Sequence, residues 1–146
     1  MRVLLQRVNR ASVEVNGVVV GEIEAGLLLL TGFGHGDISP KIKPAAEKIV
    51  NMRLFNDQAG KFNLSVRDTG GGVLIVPQFT LYADTSKGRR PEFFGALAPN
   101  KARVLFQEFI DAFKPHGLKK VAAGEFGADM KVNLINDGPV TLMLEF

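Results

Sequence analysis

The residues best suited to chemistry lie in two short segments that are far apart in the sequence. The first, Pro77-Gln78-Phe79-Thr80, ends an apolar run that is typical of a central strand. Gln78 offers an amide and Thr80 a hydroxyl, and the backbone N–H groups at a strand end could converge on a developing oxyanion. The alternative is that both side chains only satisfy a strand terminus, and this segment alone does not decide between the two.

The second segment, Asn136-Asp137-Gly138-Pro139, interrupts the C-terminal apolar run just before Val140-Thr141. Glycine permits backbone angles that are closed to other residues, and the bond before a proline is cis in about 5–6% of cases in folded proteins. One interpretation of this sequence is a tight hairpin turn. The other is a rigid backbone element that presents carbonyl oxygens to a ligand.

Other classes of chemistry find little support in the sequence. The chain has no cysteine, which excludes disulfides, thiolate metal sites and a cysteine nucleophile. Its two histidines, His35 and His116, lie in separate predicted loops with no neighbouring carboxylate at ligand spacing, so neither a metal site nor a Ser-His-Asp triad is indicated. The glycine-rich stretch 32–36 lacks the Lys-Ser/Thr ending of a phosphate-binding loop. We therefore expect no metal and no cofactor.

Length and charge set the remaining bounds. The 146 residues are enough for one sizeable core, so residues 1–146 are predicted to form a single domain. No apolar run is long enough to cross a membrane and no secretory signal is present, which favours a cytoplasmic protein. The formal net charge is +3. Three of the positive charges lie in Lys87-Gly88-Arg89-Arg90, which is either a solvated loop or a loop that contacts phosphates.

The pattern of apolar residues predicts six or seven strands and two helices. The helices gather in two places instead of following every strand, which favours an α+β or mixed-sheet domain over a doubly wound one. Residues 1–33 are predicted to form three strands, of which the first runs from 2–8 into 12–15 and the others lie at 18–23 and 26–31. Further strands are predicted at 73–76, 130–135 and 140–145, with Asn16-Gly17 as a hairpin turn and 136–139 as another. Helices are predicted from Ser39-Pro40 to about Leu54-Phe55 and from Pro99 to Phe113, the second with an apolar stripe that packs in the core.

Seven blocks of sequence, in order, give the chain a strong resemblance to the D-aminoacyl-tRNA deacylases. The blocks are Gln6-Arg7-Val8, Ala11-Ser12-Val13, Gly26-Leu27-Leu28, Gln78-Phe79-Thr80-Leu81, Lys87-Gly88-Arg89-Arg90-Pro91, Ala128-Asp129-Met130 and Asn136-Asp137-Gly138-Pro139-Val140-Thr141. The resemblance implies a mixed, largely antiparallel, barrel-like sheet with two main helices. It also implies a homodimer whose active sites lie at the subunit interface.

The resemblance also implies an activity and a role for each segment. The substrate would be aminoacyl-tRNA, and the reaction would be hydrolysis of the ester that joins a D-amino acid to the terminal adenosine, assisted by the 2′-hydroxyl of that adenosine. Gln78, Phe79 and Thr80 would position the ester. Gly138-Pro139, with a cis bond and held by Arg7, would enter the partner's site and reject L-amino acids, while glycine would be accepted.

One position departs from the family's usual pattern, which has Ser before Gln-Phe-Thr where this chain has Pro77. A sister group of tRNA deacylases has Pro there, together with Ala at the position of Phe79. The departure concerns fine substrate preference and not the class of reaction. Two other hypotheses remain at this point: a non-catalytic RNA-binding module, and a hydrolase of free D-amino acid esters or amides.

Overall fold

The structure is a computed structural model that describes all residues from Met1 to Phe146. It contains eight strands, two α-helices and three short 3-10 helices. The strands are β1 (Arg2–Val15), β2 (Val18–Ile23), β3 (Gly26–Gly32), β4 (Phe55–Asn56), β5 (Phe62–Leu64), β6 (Gly72–Pro77), β7 (Lys120–Ala123) and β8 (Lys131–Glu145). The helices are α1 (Ile42–Asn51) and α2 (Pro99–Phe113), and the 3-10 helices are Ser39–Lys41, Phe79–Tyr82 and Lys114–His116.

Six strands form one mixed sheet in the order β2-β1-β3-β6-β7, with β8 paired to β1. The long strand β1 pairs antiparallel with β3 through its first half, with β2 through its second half, and with β8 along most of its length. Strands β3, β6 and β7 are parallel to one another. The sheet curls until β2 approaches β7, so that a Cβ on Gly21 would lie 2.6 Å from the carbonyl oxygen of Ala123. The predicted mixed, largely antiparallel and barrel-like α+β fold is confirmed.

The apolar residues form two cores, one on each face of the curled sheet. The larger contains both helices packed on β1, β3 and β6, and the apolar stripe of α2 is buried in it, as predicted. The smaller lies inside the curl and includes Val8, Val13, Leu28 and Leu74. Strand β3 therefore has apolar neighbours on both faces, which explains its unbroken Leu27–Leu30 run.

Local sequence accounts for the ends of several elements. Asn16 and Gly17 both have positive φ, 50° and 80°, as the tight β1–β2 hairpin turn requires. Pro99 is at the start of α2, where a missing N–H costs no helical hydrogen bond. At the start of β3, a Cβ on Gly26 would lie 1.9 Å from the carbonyl oxygen of Gly72, so only glycine allows β3 and β6 to approach so closely.

Two predicted boundaries were wrong. Helix α1 ends at Asn51 and not near Leu54-Phe55, because Met52 is already extended and leads into the small β4–β5 sheet. The C-terminal region is not two strands joined by a hairpin: Lys131–Glu145 is a single strand along β1. The segment 136–139 interrupts the pairing of that strand without reversing its direction.

No helix is long and apolar enough to cross a membrane.

Candidate active site

The chain brings Gln78, Phe79 and Thr80 together at the point where β6 ends. The N–H of Gln78 donates to the carbonyl oxygen of Thr31 over 2.7 Å, which extends the parallel pairing with β3 by one more bond. The chain then turns into the 3-10 helix Phe79–Tyr82, and the amide of Gln78 donates to the hydroxyl of Thr80. The N–H groups of Phe79 and Thr80 begin this helix, where its i to i+3 pattern supplies no partner. Two donors are therefore available at the strand end.

A cavity of about 590 Å³ opens beside this strand end. It lies between the ends of β3 and β6, the start of α2 and the segment 126–132. Its lining is mostly apolar; the aromatic members are Phe33, Phe79, Phe93 and Phe126. The rings of Phe79 and Phe93 meet edge to face with centroids 5.0 Å apart. The cavity is of the size and character of a small-ligand site.

Gly138 and Pro139 lie on a bulge of β8. On either side of the bulge, Gln6 pairs with Thr141 and Val8 with Asn136, so β1 advances two residues (6 to 8) while β8 advances five (136 to 141). Three residues of β8 are therefore extra, and the segment leaves the ladder as an exposed turn. The Gly138–Pro139 bond is cis, and Gly138 has a φ of 136°, which favours glycine.

The side chain of Asn136 closes the base of this bulge. Its Oδ1 accepts a hydrogen bond from the N–H of Val140 over 2.8 Å, and its Nδ2 donates to the carbonyl oxygen of Val140 over 3.2 Å. The same Nδ2 lies 3.0 Å from Oγ1 of Thr141. An asparagine side chain thus replaces the backbone partners that the bulge has lost. From the sequence, Asn136 was expected only as part of a turn. An asparagine directly before Asp-Gly is the feature that could have indicated a side chain that bonds the main chain of the turn.

Arg7 holds the bulge from inside the protein. The residue is 6% exposed, and its Nε donates to the carbonyl oxygen of Asp137 over 2.9 Å and lies 3.2 Å from the carboxylate Oδ2 of Asp137. Its Nη1 donates to the carbonyl oxygen of Leu54 over 2.6 Å. The guanidinium also lies over the ring of Phe62, 5.3 Å from its centroid. The turn is thereby tied to β1 and to the connection after α1.

The two candidate segments do not meet within one chain. No residue from Asp137 to Val140 lines the cavity beside Gln78 and Phe79, and Gly138 and Pro139 are exposed. The turn therefore contributes nothing to the cavity of its own chain.

The strand that carries the turn leaves apolar surface exposed. Strand β8 pairs only with β1, so its second edge is free. Leu134, Ile135 and Met143 on β8 are exposed, and so are Val18 to Val20 on β2. A long strand with a free edge and exposed apolar side chains is a site where another chain can pair.

The basic segment Lys87–Arg90 lies on an exposed loop that directly follows the 3-10 helix at the site. The loop is closed at its base by two backbone hydrogen bonds between Asp84 and Glu92, of 2.7 and 2.9 Å. Hydrogen bonds from Ser86 hold the pKa of Asp84 below its usual range, so this carboxylate stays charged at neutral pH. The basic side chains are therefore presented to solvent beside the site.

Tyr82 links the 3-10 helix to the connection after β3. Its ring lies against Gly34, where a Cβ would come within 2.3 Å of Cε1 of the ring, and the guanidinium of Arg2 lies over the ring, 4.7 Å from its centroid. Burial and the neighbouring carboxylate of Asp37 raise the pKa of Tyr82 to about 12. The structure contains no group of three His, Asp or Glu residues that could hold a metal ion.

Comparison with known proteins places this chain in one family over nearly its whole length. Residues 4–145 match the family described as D-Tyr-tRNA(Tyr) deacylase. Proteins named D-aminoacyl-tRNA deacylase from Thermosipho africanus and Teredinibacter turnerae are 54% and 51% identical over 145 residues, covering 99% of this chain and 97% and 99% of theirs.

Two solved structures share the fold. The c-Myc DNA unwinding element binding protein superposes with a TM-score of 0.92 at 36% identity, covering 100% of this chain and 99% of its own. A probable eukaryotic D-amino acid tRNA deacylase superposes with a TM-score of 0.87 at 18% identity, covering 98% and 97%. At that identity, the second comparison concerns the fold alone.

The titration of Tyr82 tests the local geometry, because Tyr82 is the only tyrosine and the chain has no tryptophan. Phenolate absorbance measured against pH should give an apparent pKa near 12 in the folded protein and about 10 after unfolding in guanidinium. Since the pKa of Tyr82 is higher in the folded protein, its protonated phenol contributes to the free energy of unfolding. This contribution is complete below about pH 10 and is lost as the pH rises through 12. Asp37→Asn should lower the folded value. A folded-state pKa near 10 would mean that the ring is not packed as described.

Proposed function

Because the chain belongs to the D-aminoacyl-tRNA deacylase family and is a hydrolase, we propose that it removes D-amino acids, and glycine, from tRNA by a mechanism in which the RNA supplies part of the chemistry. The reaction would be hydrolysis of the ester to the terminal adenosine. The whole chain, residues 1–146, would act as one catalytic domain in the cytoplasm, where charged tRNA is used.

The chemistry of the strand end suits this reaction. The N–H groups of Phe79 and Thr80 are free to stabilise the oxyanion that forms when water attacks the ester carbonyl. The hydroxyl of Thr80 has only the amide of Gln78 as a hydrogen-bond partner, with no imidazole or carboxylate to take its proton. A nucleophilic role would need such a base, so Thr80 is given a positioning role together with Gln78. The neighbouring 2′-hydroxyl of the terminal adenosine would then assist the attacking water.

The cavity would bind the 3′ end of the tRNA. Single-stranded RNA is recognised mainly by stacking its splayed bases on aromatic side chains. The cavity offers Phe33, Phe79, Phe93 and Phe126 around its 590 Å³. The exposed Lys87–Arg90 loop beside it would contact the phosphate backbone of the acceptor end.

Chirality would be selected by Gly138 and Pro139 acting on the partner's site. The turn is rigidly held by Arg7 and Asn136, yet it is exposed and absent from the cavity of its own chain. The free edge and exposed apolar side chains of β8 suit pairing with a second copy. Main-chain carbonyls carried into the partner's site would leave room for the hydrogen of a D-residue or glycine but not for the side chain of an L-residue.

The observation that carries the proposal is the separation of the two candidate segments within one chain. Gln78 and Phe79 line the cavity and Thr80 follows them in the chain, whereas the turn that Arg7 fixes lines no part of that cavity. Preference among the accepted substrates would depend on the surroundings of Pro77, because proline has no N–H to donate where other residues have one.

Deacylation of matched substrates tests the reaction. We expect D-Tyr-tRNA and Gly-tRNA to be hydrolysed and L-Tyr-tRNA to be hydrolysed at least about 100-fold more slowly, a difference of roughly 2.7 kcal/mol in the barrier. A terminal 2′-deoxyadenosine should slow turnover by about 10²–10⁴-fold with little change in binding. Hydrolysis of free D-Tyr methyl ester at a comparable rate would favour the small-molecule hydrolase instead. Binding of tRNA without turnover would contradict the proposal.

Mixed dimers test whether the turn acts on the partner. One protomer carries Gln78→Ala and Thr80→Ala, and the other carries Gly138→Ala, in which the new Cβ would lie 2.8 Å from Cγ2 of Val140. If the turn acts across the interface, the mixed dimer has one site without defects and one site with both, so it hydrolyses D-Tyr-tRNA and still rejects L-Tyr-tRNA. If the turn acts within its own chain, the working site has the defective turn and hydrolyses L-Tyr-tRNA, as the Gly138→Ala homodimer should.

A further inference from the structure

We propose that Thr31 is a specificity-determining residue whose hydroxyl hydrogen-bonds to the polar edge of the terminal adenine of the tRNA, an inference that rests on the function proposed above. Thr31 is the penultimate residue of β3 and lies opposite Pro77 in the parallel register of β3 and β6. Its carbonyl oxygen accepts the hydrogen bond from Gln78. The residue is therefore fixed to the strand end that carries the proposed catalytic segment.

The hydroxyl of Thr31 has no partner within the protein. The residue is 1% exposed, and Oγ1 is the one buried side-chain polar atom without a hydrogen bond to another protein atom. Leaving a buried hydroxyl unpaired is unfavourable for folding. The preceding residues Leu27 to Leu30 are all aliphatic, and valine would fill the same volume at position 31 without that cost. A ligand that supplies the missing partner accounts for a hydroxyl at this position.

Thr31 lines the cavity, whose other polar side chains are already engaged. The amide of Gln78 donates to Thr80. The carboxylate of Asp129 is exposed and paired with Lys131 at 2.9 Å. Pro77, opposite Thr31, offers neither an N–H nor a hydroxyl. The hydroxyl of Thr31 is thus a buried side-chain group without a partner in a cavity whose walls are mostly aromatic and aliphatic.

A planar aromatic ligand with a polar edge fits these walls best. The rings of Phe79, Phe93 and Phe126, which are exposed or half-buried, provide surfaces for stacking, which every base accepts. Stacking does not distinguish one base from another, whereas a hydrogen bond to a base edge does. A threonine hydroxyl can both donate and accept, so it can pair with a ring nitrogen or with the exocyclic amine of adenine.

Two substitutions separate a role in binding from a role in structure. Thr31→Val removes the hydroxyl and keeps the shape, while Thr31→Ser keeps the hydroxyl. With D-Tyr-tRNA, we expect Thr31→Val to raise KM about tenfold with little change in kcat, and Thr31→Ser to stay close to the wild-type KM. The Tm of Thr31→Val should be equal to or above that of the wild type, since an unpaired buried hydroxyl has been removed. An unchanged KM in Thr31→Val, with wild-type turnover intact, would overturn the inference and leave the proposed function standing.

Substrates with altered bases test which group the hydroxyl contacts. D-Tyr-tRNA ending in purine riboside, 1-deazaadenosine, 3-deazaadenosine or 7-deazaadenosine lacks one polar group of the base edge. At least one of them should raise the wild-type KM about tenfold while leaving the KM of Thr31→Val nearly unchanged, because the interaction is already absent there. If Thr31→Val raises KM but every analogue affects both enzymes equally, the contact is with the ribose or the amino acid and the assignment to the base is wrong.

Discussion

The fixed position of the Asp137–Pro139 turn depends on one buried guanidinium. Arg7 bonds the carbonyl oxygens of Asp137 and Leu54, pairs with the carboxylate of Asp137 and lies over the ring of Phe62. A guanidinium has five hydrogen-bond donors in a rigid plane. Arg7 therefore fixes the main chain of the turn, and not merely its side chains, relative to the sheet.

The sheet places the two candidate segments apart from each other. The end of β6 supplies main-chain donors and a polar pair, Gln78 and Thr80, in front of a cavity. The bulge of β8 forms a turn on the surface that is held in place by Arg7, and the second edge of β8 is unpaired. Neither the end of β6 nor the bulge of β8 offers a conventional base or nucleophile. A substrate that contributes its own hydroxyl, and selection by steric exclusion, suit a site with so few ionisable side chains.

Much of the fold follows from the sequence, because its signals are local. The Asn16-Gly17 turn, the unbroken Leu27–Leu30 strand and the apolar stripe of α2 each follow from the residues within one element. The end of β6 directly before Gln78 was also predicted, since the apolar run stops there. By contrast, the Asn136–Pro139 segment has the local sequence of a hairpin turn. It becomes a bulge because β1 is long enough to pair with β8 on both sides of it, and pairing over that distance has no local signal.

The cavity could not be predicted for the same reason. Phe33, Phe93 and Phe126 are far apart in the sequence, and only the packing of α2 and the segment 126–132 against the sheet brings them together. Thr31 faces Pro77 only through the parallel register of β3 and β6. The contact of Arg7 with the carbonyl oxygen of Leu54 likewise involves a main-chain atom, which residue types do not reveal.

The most direct test of this account is the ratio of D-Tyr-tRNA to L-Tyr-tRNA hydrolysis in Arg7→Lys, with Arg10→Lys, an exposed substitution on the same strand, as the control. Lysine keeps the charge but cannot bond both carbonyl oxygens in the plane of a guanidinium. We expect hydrolysis of L-Tyr-tRNA to rise about tenfold or more in Arg7→Lys, with hydrolysis of D-Tyr-tRNA largely retained and no change in Arg10→Lys. A folded Arg7→Lys protein that rejects L-Tyr-tRNA as well as the wild type does would contradict the account.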